Sequence, residues 1–289
     1  MLWLAPLVSL RFEPWQGRTG PDTMRGVPVR HNTVSTVVER RRTRELRFMA
    51  LGDVHGAFRR AAALAETART DLGGRLDVIL SVGDLEANRN ARDAAGVATG
   101  KGHRRWVGEF PKVLNGDIEF PSPLYFIGGD HEPWATLDSR GPGEIYPGFH
   151  FLGRAGVRDV MGLRVGFLSG VRGEASEGEL FSRYGRDERA CYVEIELVAL
   201  SRSLNKHGEV DVLLTHDWAA GADPDRGSDD VRALLDNAHI DLHLCGHQHQ
   251  RLSTIIEGTR VEALSDVLSD DGGYATFVQK RSGVIERVS

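Results

Sequence analysis

The stretch Leu124-Tyr125-Phe126-Ile127-Gly128-Gly129-Asp130-His131-Glu132-Pro133-Trp134 decides how the rest of the chain is read. Its first four residues form an apolar run of the length of a buried strand. Gly128 and Gly129 follow, where the backbone must turn sharply or pass close to another group. Asp130, His131 and Glu132 then stand at the strand's C-terminal end, where an open α/β sheet places reactive groups. Taken alone, the stretch reads equally well as a strand-to-turn junction facing water. The flanking sequence tips the balance.

Upstream, Leu46-Arg47-Phe48-Met49-Ala50-Leu51 reads as a strand and ends in Gly52-Asp53-Val54-His55-Gly56. Residues 57–70 carry Phe58, Ala61, Ala62, Leu64, Ala65 and Ala68 at helical spacing, and Gly73-Gly74 closes that helix. Residues 77–82 are a second strand, ending in Gly83-Asp84-Leu85-Glu86. This is a βαβ unit, whose parallel strands place both acid-bearing loops on one edge. Downstream, residues 138–148 read as a Gly- and Pro-rich loop, and 149–152 and 163–168 as strands. Residues 192–200 fit either a strand or a helix. Residues 210–214 form a strand ending in Thr215-His216-Asp217-Trp218, and 228–237 a helix with Ser228 as N-cap. Residues 240–245 form a strand ending in Gly246-His247-Gln248-His249. The alternating runs 253–256, 260–264 and 274–278 read as antiparallel strands that close the sheet. The fold class is α/β.

The bulk numbers agree. The chain has 289 residues, 40% hydrophobic and 27% charged, enough to bury a substantial core. A net charge of −5 excludes polyanion binding by the molecule as a whole, although a carboxylate cluster loaded with divalent ions would be locally positive. Cys191 and Cys245 offer no disulfide framework and no paired zinc spacing, and both are expected as buried free thiols. No run approaches the roughly 18 apolar residues of a membrane span. Residues 2–8 are apolar but lack a basic lead and are interrupted by Pro6, so they are not read as a signal peptide, and the expected location is cytoplasmic. Residues 1–45, with an arginine cluster at 40–44, read as a poorly ordered or peripheral extension with Met24 as an alternative start; 46–289 read as a single domain.

Five strands thus end in polar clusters: Asp53 and His55; Asp84; Asp130 and His131; His216; His247 and His249. Each has an ordinary reading by itself, as a helix cap, a turn acid or a packed histidine. Five together point to a shared site for divalent cations, because carboxylate oxygen and imidazole nitrogen suit Mn²⁺, Fe²⁺ and Zn²⁺. The i, i+2 spacing of Asp53/His55 and His247/His249 puts both groups on one side of extended backbone. An acid shared by two ions would hold them roughly 3.5–4 Å apart, the arrangement used for in-line displacement.

In order and spread these five blocks resemble those of the calcineurin-like metallophosphoesterases, over about residues 46 to 280. The resemblance implies a β-sandwich of two mixed sheets flanked by helices, with a two-metal site at the strand ends. It implies that Asp53, His55 and His249 hold one metal, that Asp84 bridges, and that Asp130, His216 and His247 hold the second. It further implies attack of a metal-bound hydroxide on phosphorus, with His131 protonating the leaving alkoxide. The second block lacks the Asp-Arg-Gly of protein-phosphatase-like members. Gly83-Asp84-Leu85-Glu86-Ala87-Asn88-Arg89-Asn90 is instead similar to the RNA lariat debranching enzymes, as are Phe126-Ile127-Gly128-Gly129 with His131-Glu132, and His216-Asp217-Trp218. Three departures stand out. Those enzymes carry Cys where this chain has Asp53, the family has Asn where this chain has Asp130, and the debranching enzymes are usually longer.

The expected function is therefore a dinuclear-metal phosphodiesterase acting on a nucleotide or RNA. The alternatives are a phosphomonoesterase or protein phosphatase, and a scaffold of this fold that binds a partner protein. Arg89 and Asn90, just after the bridging acid, are candidates to hold phosphate or ribose, against a plain solvent-exposed loop. Trp134 and Trp218 fit base stacking and core packing equally. Nothing in the sequence sets the oligomeric state.

Overall fold

The computed structural model describes residues 44–98, 106–173 and 186–289. The expectations for residues 1–43 lie outside the described residues. In chain order the elements are β1 (Leu46–Leu51), α1 (Phe58–Asp71), β2 (Val78–Ser81), α2 (Ala91–Ala95), α3 (Phe110–Leu114), β3 (Leu124–Phe126), α4 (Trp134–Arg140), β4 (Gly143–Tyr146), β5 (Phe149–Phe151), β6 (Ala155–Val160) and β7 (Leu163–Leu168). There follow β8 (Val171–Arg172), α5 (Arg186–Arg189), β9 (Cys191–Tyr192), α6 (Glu194–His207), β10 (Glu209–Thr215), α7 (Asp229–Asn237), β11 (His239–Cys245), β12 (Leu252–Ile256), β13 (Thr259–Ala263), β14 (Tyr274–Gln279) and β15 (Ile285–Arg287).

Two mixed sheets face each other. One has the order β15-β14-β1-β2-β3-β5-β4 and the other β12-β13-β11-β10-β7-β6. Within the first, β1, β2, β3 and β5 are parallel; within the second, β7, β10, β11 and β13 are parallel. Side-chain alternation explains the layering. Leu46, Phe48 and Ala50 of β1 point into the core between the sheets, while Met49 and Leu51 point into a second core under α1, α3 and α4. Val212 and Leu214 of β10 join the central core from the other sheet, and Val210 and Leu213 point into a third core under α6 and α7. Strands apolar on both faces are what a sandwich with helices outside requires.

The helices follow from the same logic. In α1, Phe58, Ala61, Ala62, Leu64, Ala65 and Ala68 are buried. Ser228 caps α7, its Oγ accepting from the Val231 amide at 3.4 Å. The open segment at 192–200 resolves as helix α6: Glu196 reaches back to accept from the Val193 amide at 3.0 Å, and Leu200 and Leu204 are buried one turn apart.

Several expectations need correction. The loop expected at 138–148 contains the end of α4 and all of β4. Trp134 and Leu137 anchor α4 in the core, and β4 adds to β5 through a bulge, so burial overrides the Gly and Pro content. β6 gives no signal in the sequence, because all but the last of its residues are partly or fully exposed and show no apolar alternation. The tail strands do not close one sheet. β12 and β13 extend the second sheet, with β13 parallel to β11, while β14 pairs antiparallel with β1 in the first. Cys245 is buried, but Cys191 is only half-buried. Among the described residues no helix is long and apolar enough to cross a membrane.

Candidate metal centre

Hydrogen bonds from backbone and side chains tie the five strand ends into one unit. The amides of Val54 and His55 both donate to the Asp84 carbonyl at 2.9 Å, and the Gly56 amide donates to the Leu85 carbonyl at 3.0 Å. The second loop is tied to the third: the His131 amide donates to Asp84 Oδ1 at 2.8 Å, and the Leu85 amide to Glu132 Oε1 at 2.8 Å. The fifth loop is tied to the first by the His247 amide, which donates to Asp53 Oδ2 at 2.9 Å. Across the sandwich, His216 Nδ1 lies 2.8 Å from the Val82 carbonyl. With an N–H donated there, His216 Nε2 is left as an acceptor or ligand facing the site.

Three groups of side chains emerge around Asp84, the third being Asp84, Asp130 and His131. In the first, ligand-type atoms of Asp53, His55, Asp84 and His249 lie within 4.8 Å of one another; Asp130, His216 and His247 form the second to the same limit. His55 Nε2 and His249 Nε2 are 3.1 Å apart, and His249 Nε2 is 3.3 Å from Asp53 Oδ2. On the other side, Asp130 Oδ1 is 3.2 Å from His216 Nε2 and 3.1 Å from His247 Nδ1. Asp84 Oδ2 belongs to the first and borders the second, 3.6 Å from His55 Nε2 and 3.4 Å from His216 Nε2. Because Asp84 Oδ1 is taken by the His131 amide, Oδ2 is the oxygen left to be shared.

The donors fit divalent cations. Asp53 Oδ1 is buried and has no hydrogen-bond partner, a costly state for an anionic oxygen. The electrostatics say the same. Burial alone would lower the pKa of His55, yet its hydrogen bond to Glu86 and the charges of Asp84 and Asp53 hold it up at about 9. Burial opposes protonation of His216 too, and Asp84 and Asp130 nonetheless drive its pKa well up. Burial would raise Asp130, but hydrogen bonds from His216 and His247 hold it well below the usual carboxylate range. The acids therefore demand positive charge, which protonated imidazoles supply until a metal displaces those protons. Neither cysteine joins the set, so its ligands are oxygen and nitrogen, as harder divalent ions prefer.

Local backbone is shaped to suit. His55, Asp84, His247 and His249 all have positive φ, between 44° and 68°, as does Glu86 at 48°. Such residues concentrate at functional sites. Gly83 and Gly129 provide room: a Cβ on Gly83 would lie 2.7 Å from the Gly129 nitrogen and from His216 Nδ1, and one on Gly129 would run into Asp84 and His216.

The other expected residues fall as follows. His131 is half-buried beside the second group, its Nε2 3.2 Å from Asp130 Oδ2 and its ring edge-on to His55. The Arg89 guanidinium forms a two-point pair with Asp93 at 2.6 and 2.9 Å and reaches Thr136. The Asn90 side chain caps α2, accepting from the amides of Arg92 and Asp93. Trp134 and Trp218 are buried, and their indole N–H groups donate to the carbonyls of Gly129 and Gly246, so both are packing residues that brace site loops. Sequence reasoning passes over Glu86, with Oε2 3.5 Å from His55 Nδ1, and Asp266, 3.9 Å from His249 Nδ1. Glu86, two residues past Asp84 in the same loop, is within reach of a pattern search. Asp266 follows β13 in a segment with no motif.

Comparison with known proteins places this geometry. Residues 46–251 match the family model for calcineurin-like phosphoesterases. The lariat debranching enzyme of Drosophila melanogaster is 30% identical over 179 residues, 59% of this chain and 32% of that protein. The Schizosaccharomyces pombe enzyme is 30% identical over 181 residues, again 59% of this chain and 36% of that protein. The chain thus spans about a third of the length of these curated relatives. Among solved structures, the Thermus thermophilus protein TT1561 superposes with a TM-score of 0.54 at 16% identity, covering 84% of this chain and 99% of that one. GAP50, the anchor in the inner membrane complex of Plasmodium, gives 0.50 at 15% identity, covering 84% of each. At those identities the structural matches speak to the fold alone.

Proposed function

The chain belongs to the calcineurin-like phosphoesterases, and from that membership we propose that it is a dinuclear-metal phosphodiesterase acting on a nucleotide or nucleic-acid diester. The observation that carries the reading is the placement of Asp84 Oδ2 between two clusters of Asp and His. Asp53, His55 and His249 would hold one divalent ion, Asp130, His216 and His247 the other, and Asp84 would serve both. When bound, such ions neutralise charge on a phosphoryl group and make water a stronger nucleophile at neutral pH.

The chain's own residues do the rest. The loop hydrogen bonds hold the ligands in place in advance, so little reorganisation accompanies binding. His131, beside Asp130, delivers a proton from Nε2 to the departing alkoxide. The hydrogen bond from the His131 backbone amide to Asp84 Oδ1 fixes the backbone that carries that ring relative to the bridging acid. Arg89 and Asn90 would contact phosphate or ribose only by giving up Asp93 and the α2 cap, which makes them secondary binding candidates.

A diester is preferred to a monoester because the 83–90 block and the curated relatives are of the debranching type, and the Asp-Arg-Gly of protein phosphatases is missing. Metal analysis of the purified protein, with Mn²⁺-supported hydrolysis of a generic diester and monoester, tests this. About two divalent ions per chain and a diester preference are expected. A monoester preference would favour the phosphatase reading, and no metal with no turnover would favour a partner-binding scaffold.

A further inference from the structure

Trp134 and Trp218 are buried, whereas Trp106 is 42% exposed. Of the large hydrophobic side chains left exposed among the described residues, it is the aromatic one; the others are aliphatic. Its position ties it to the metal centre. The ring lies against Gly56, the residue after His55: a Cβ there would meet Trp106 Cζ2 at 3.3 Å and Cε2 at 3.4 Å. The segment around it is held on both sides. Asn88, fully buried in the loop after Asp84, donates from Nδ2 to the Trp106 carbonyl at 3.1 Å. The Glu109 amide donates to the Gly56 carbonyl at 2.9 Å, and Glu109 Oε2 accepts from the Arg59 amide at 2.9 Å. Gly108 packs directly on Gly56, so close that a Cβ on Gly108 would lie 2.9 Å from Gly56 Cα. The segment that carries the indole is therefore tied to the loops of His55 and Asp84, and the ring packs on Gly56 with much of its surface in water.

We infer that Trp106 is a stacking platform for a nucleobase next to the scissile phosphate, and that it selects nucleoside-bearing esters over esters without a base. The inference names the substrate feature for the diesterase reading above and rests on that reading for the chemistry. An aromatic side chain held in place loses little freedom when a base stacks on it, and every base presents a π-face. An aliphatic residue at this position would offer area but no such face.

The test is equilibrium binding of adenosine 5′-monophosphate and of ribose 5-phosphate to the full chain with Mn²⁺, measured by calorimetry. Wild type, Trp106→Ala and Trp106→Phe are compared. Wild type is expected to prefer the nucleotide. Trp106→Ala should lose roughly tenfold of that preference, and Trp106→Phe should stay within about threefold of wild type. No preference in wild type, or equal weakening of both ligands in Trp106→Ala, overturns the inference. Turnover of thymidine 5′-(p-nitrophenyl phosphate) is scored separately. A preference lost in Trp106→Ala, without turnover by any variant, upholds the platform and sinks the hydrolase reading. Turnover with the preference unchanged in Trp106→Ala does the reverse.

Discussion

His243 makes the stability of the fold depend on pH. It is fully buried on β11, and its Nε2 lies 2.7 Å from Thr215 Oγ1. The Thr215 hydroxyl spends its single proton on the Asp217 carbonyl at 2.5 Å, so it accepts from His243 Nε2–H. His243 Nδ1 is then bare, and it is buried with no hydrogen-bond partner. A proton there would be an unpaired buried donor on a charged ring, and burial accordingly pushes the pKa down to about 3. In the unfolded chain the same group titrates near 6.5. Below that pH the unfolded state takes up a proton that the native state refuses, so stability falls as pH falls, over the window from 6.5 down to 3. At about 1.36 kcal/mol per pH unit, this one residue costs about 2 kcal/mol between pH 6.5 and pH 5. That is a sizeable share of the roughly 5–15 kcal/mol that holds a domain folded. The assay is urea unfolding at several pH values for wild type and His243→Gln, which keeps an N–H donor but cannot titrate. The stability difference between the two should shift by about 2 kcal/mol in favour of the variant on going from pH 7 to pH 5. Parallel curves, with the difference constant to within about 0.5 kcal/mol, would show that His243 does not set this pH dependence.

The remaining predictions concern the metal centre. Asp84→Asn keeps an acceptor for the His131 amide but replaces the shared Oδ2, so bound metal should drop well below two per chain and diester hydrolysis by about 100-fold or more; metal analysis and kcat/KM report it. Asp130→Asn removes one of the three carboxylates proposed to hold metal and with it repulsion towards an anionic ester, so turnover should rise; a fall in kcat at saturating metal would count against that view. Gly129→Ala leaves the backbone unstrained yet drives a methyl into Asp84 and His216, so it should cost about 1–3 kcal/mol of stability and weaken metal uptake, read by thermal unfolding with and without Mn²⁺.

The strands that carry the site were legible for a specific reason. β1, β2, β3, β10 and β11 are largely buried towards their C-terminal ends, so each carries a short apolar-rich run followed by a polar block. The same property hid their partition between two sheets. Val212, Leu213 and Leu214 are all apolar, and nothing in their order says that Leu213 faces helices while its neighbours face the other sheet. Only the family resemblance supplied the sandwich. β6 and β4 escaped because edge strands are partly wet and lack that signature.

In the site itself, the ligand types were legible because few side chains bind divalent ions, but the backbone was not. The glycines before the blocks suggest tight turns. Gly129 and Gly246 instead lie outside the left-handed region and serve close approach: a Cβ on Gly129 would strike Asp84 and His216, and one on Gly246 would strike Asp53. Gly56 and Gly83 do adopt positive φ, but so do His55, Asp84, His247 and His249 themselves. A glycine would make those turns with less strain, but a glycine carries no ligand atom. Propensity and chemistry therefore conflict at these four residues, and chemistry prevails because the loops are cross-tied by the Asp84, Asp53 and Val82 hydrogen bonds. Each strained residue costs on the order of 1–3 kcal/mol, less for Asp and His than for bulkier types. That cost falls on the apo protein in full, and cation binding through all four side chains would offset it. The loops should accordingly be the first part of the sandwich to loosen when metal is withdrawn, with amide exchange in residues 53–56, 84–86 and 247–249 rising ahead of β1 and β11.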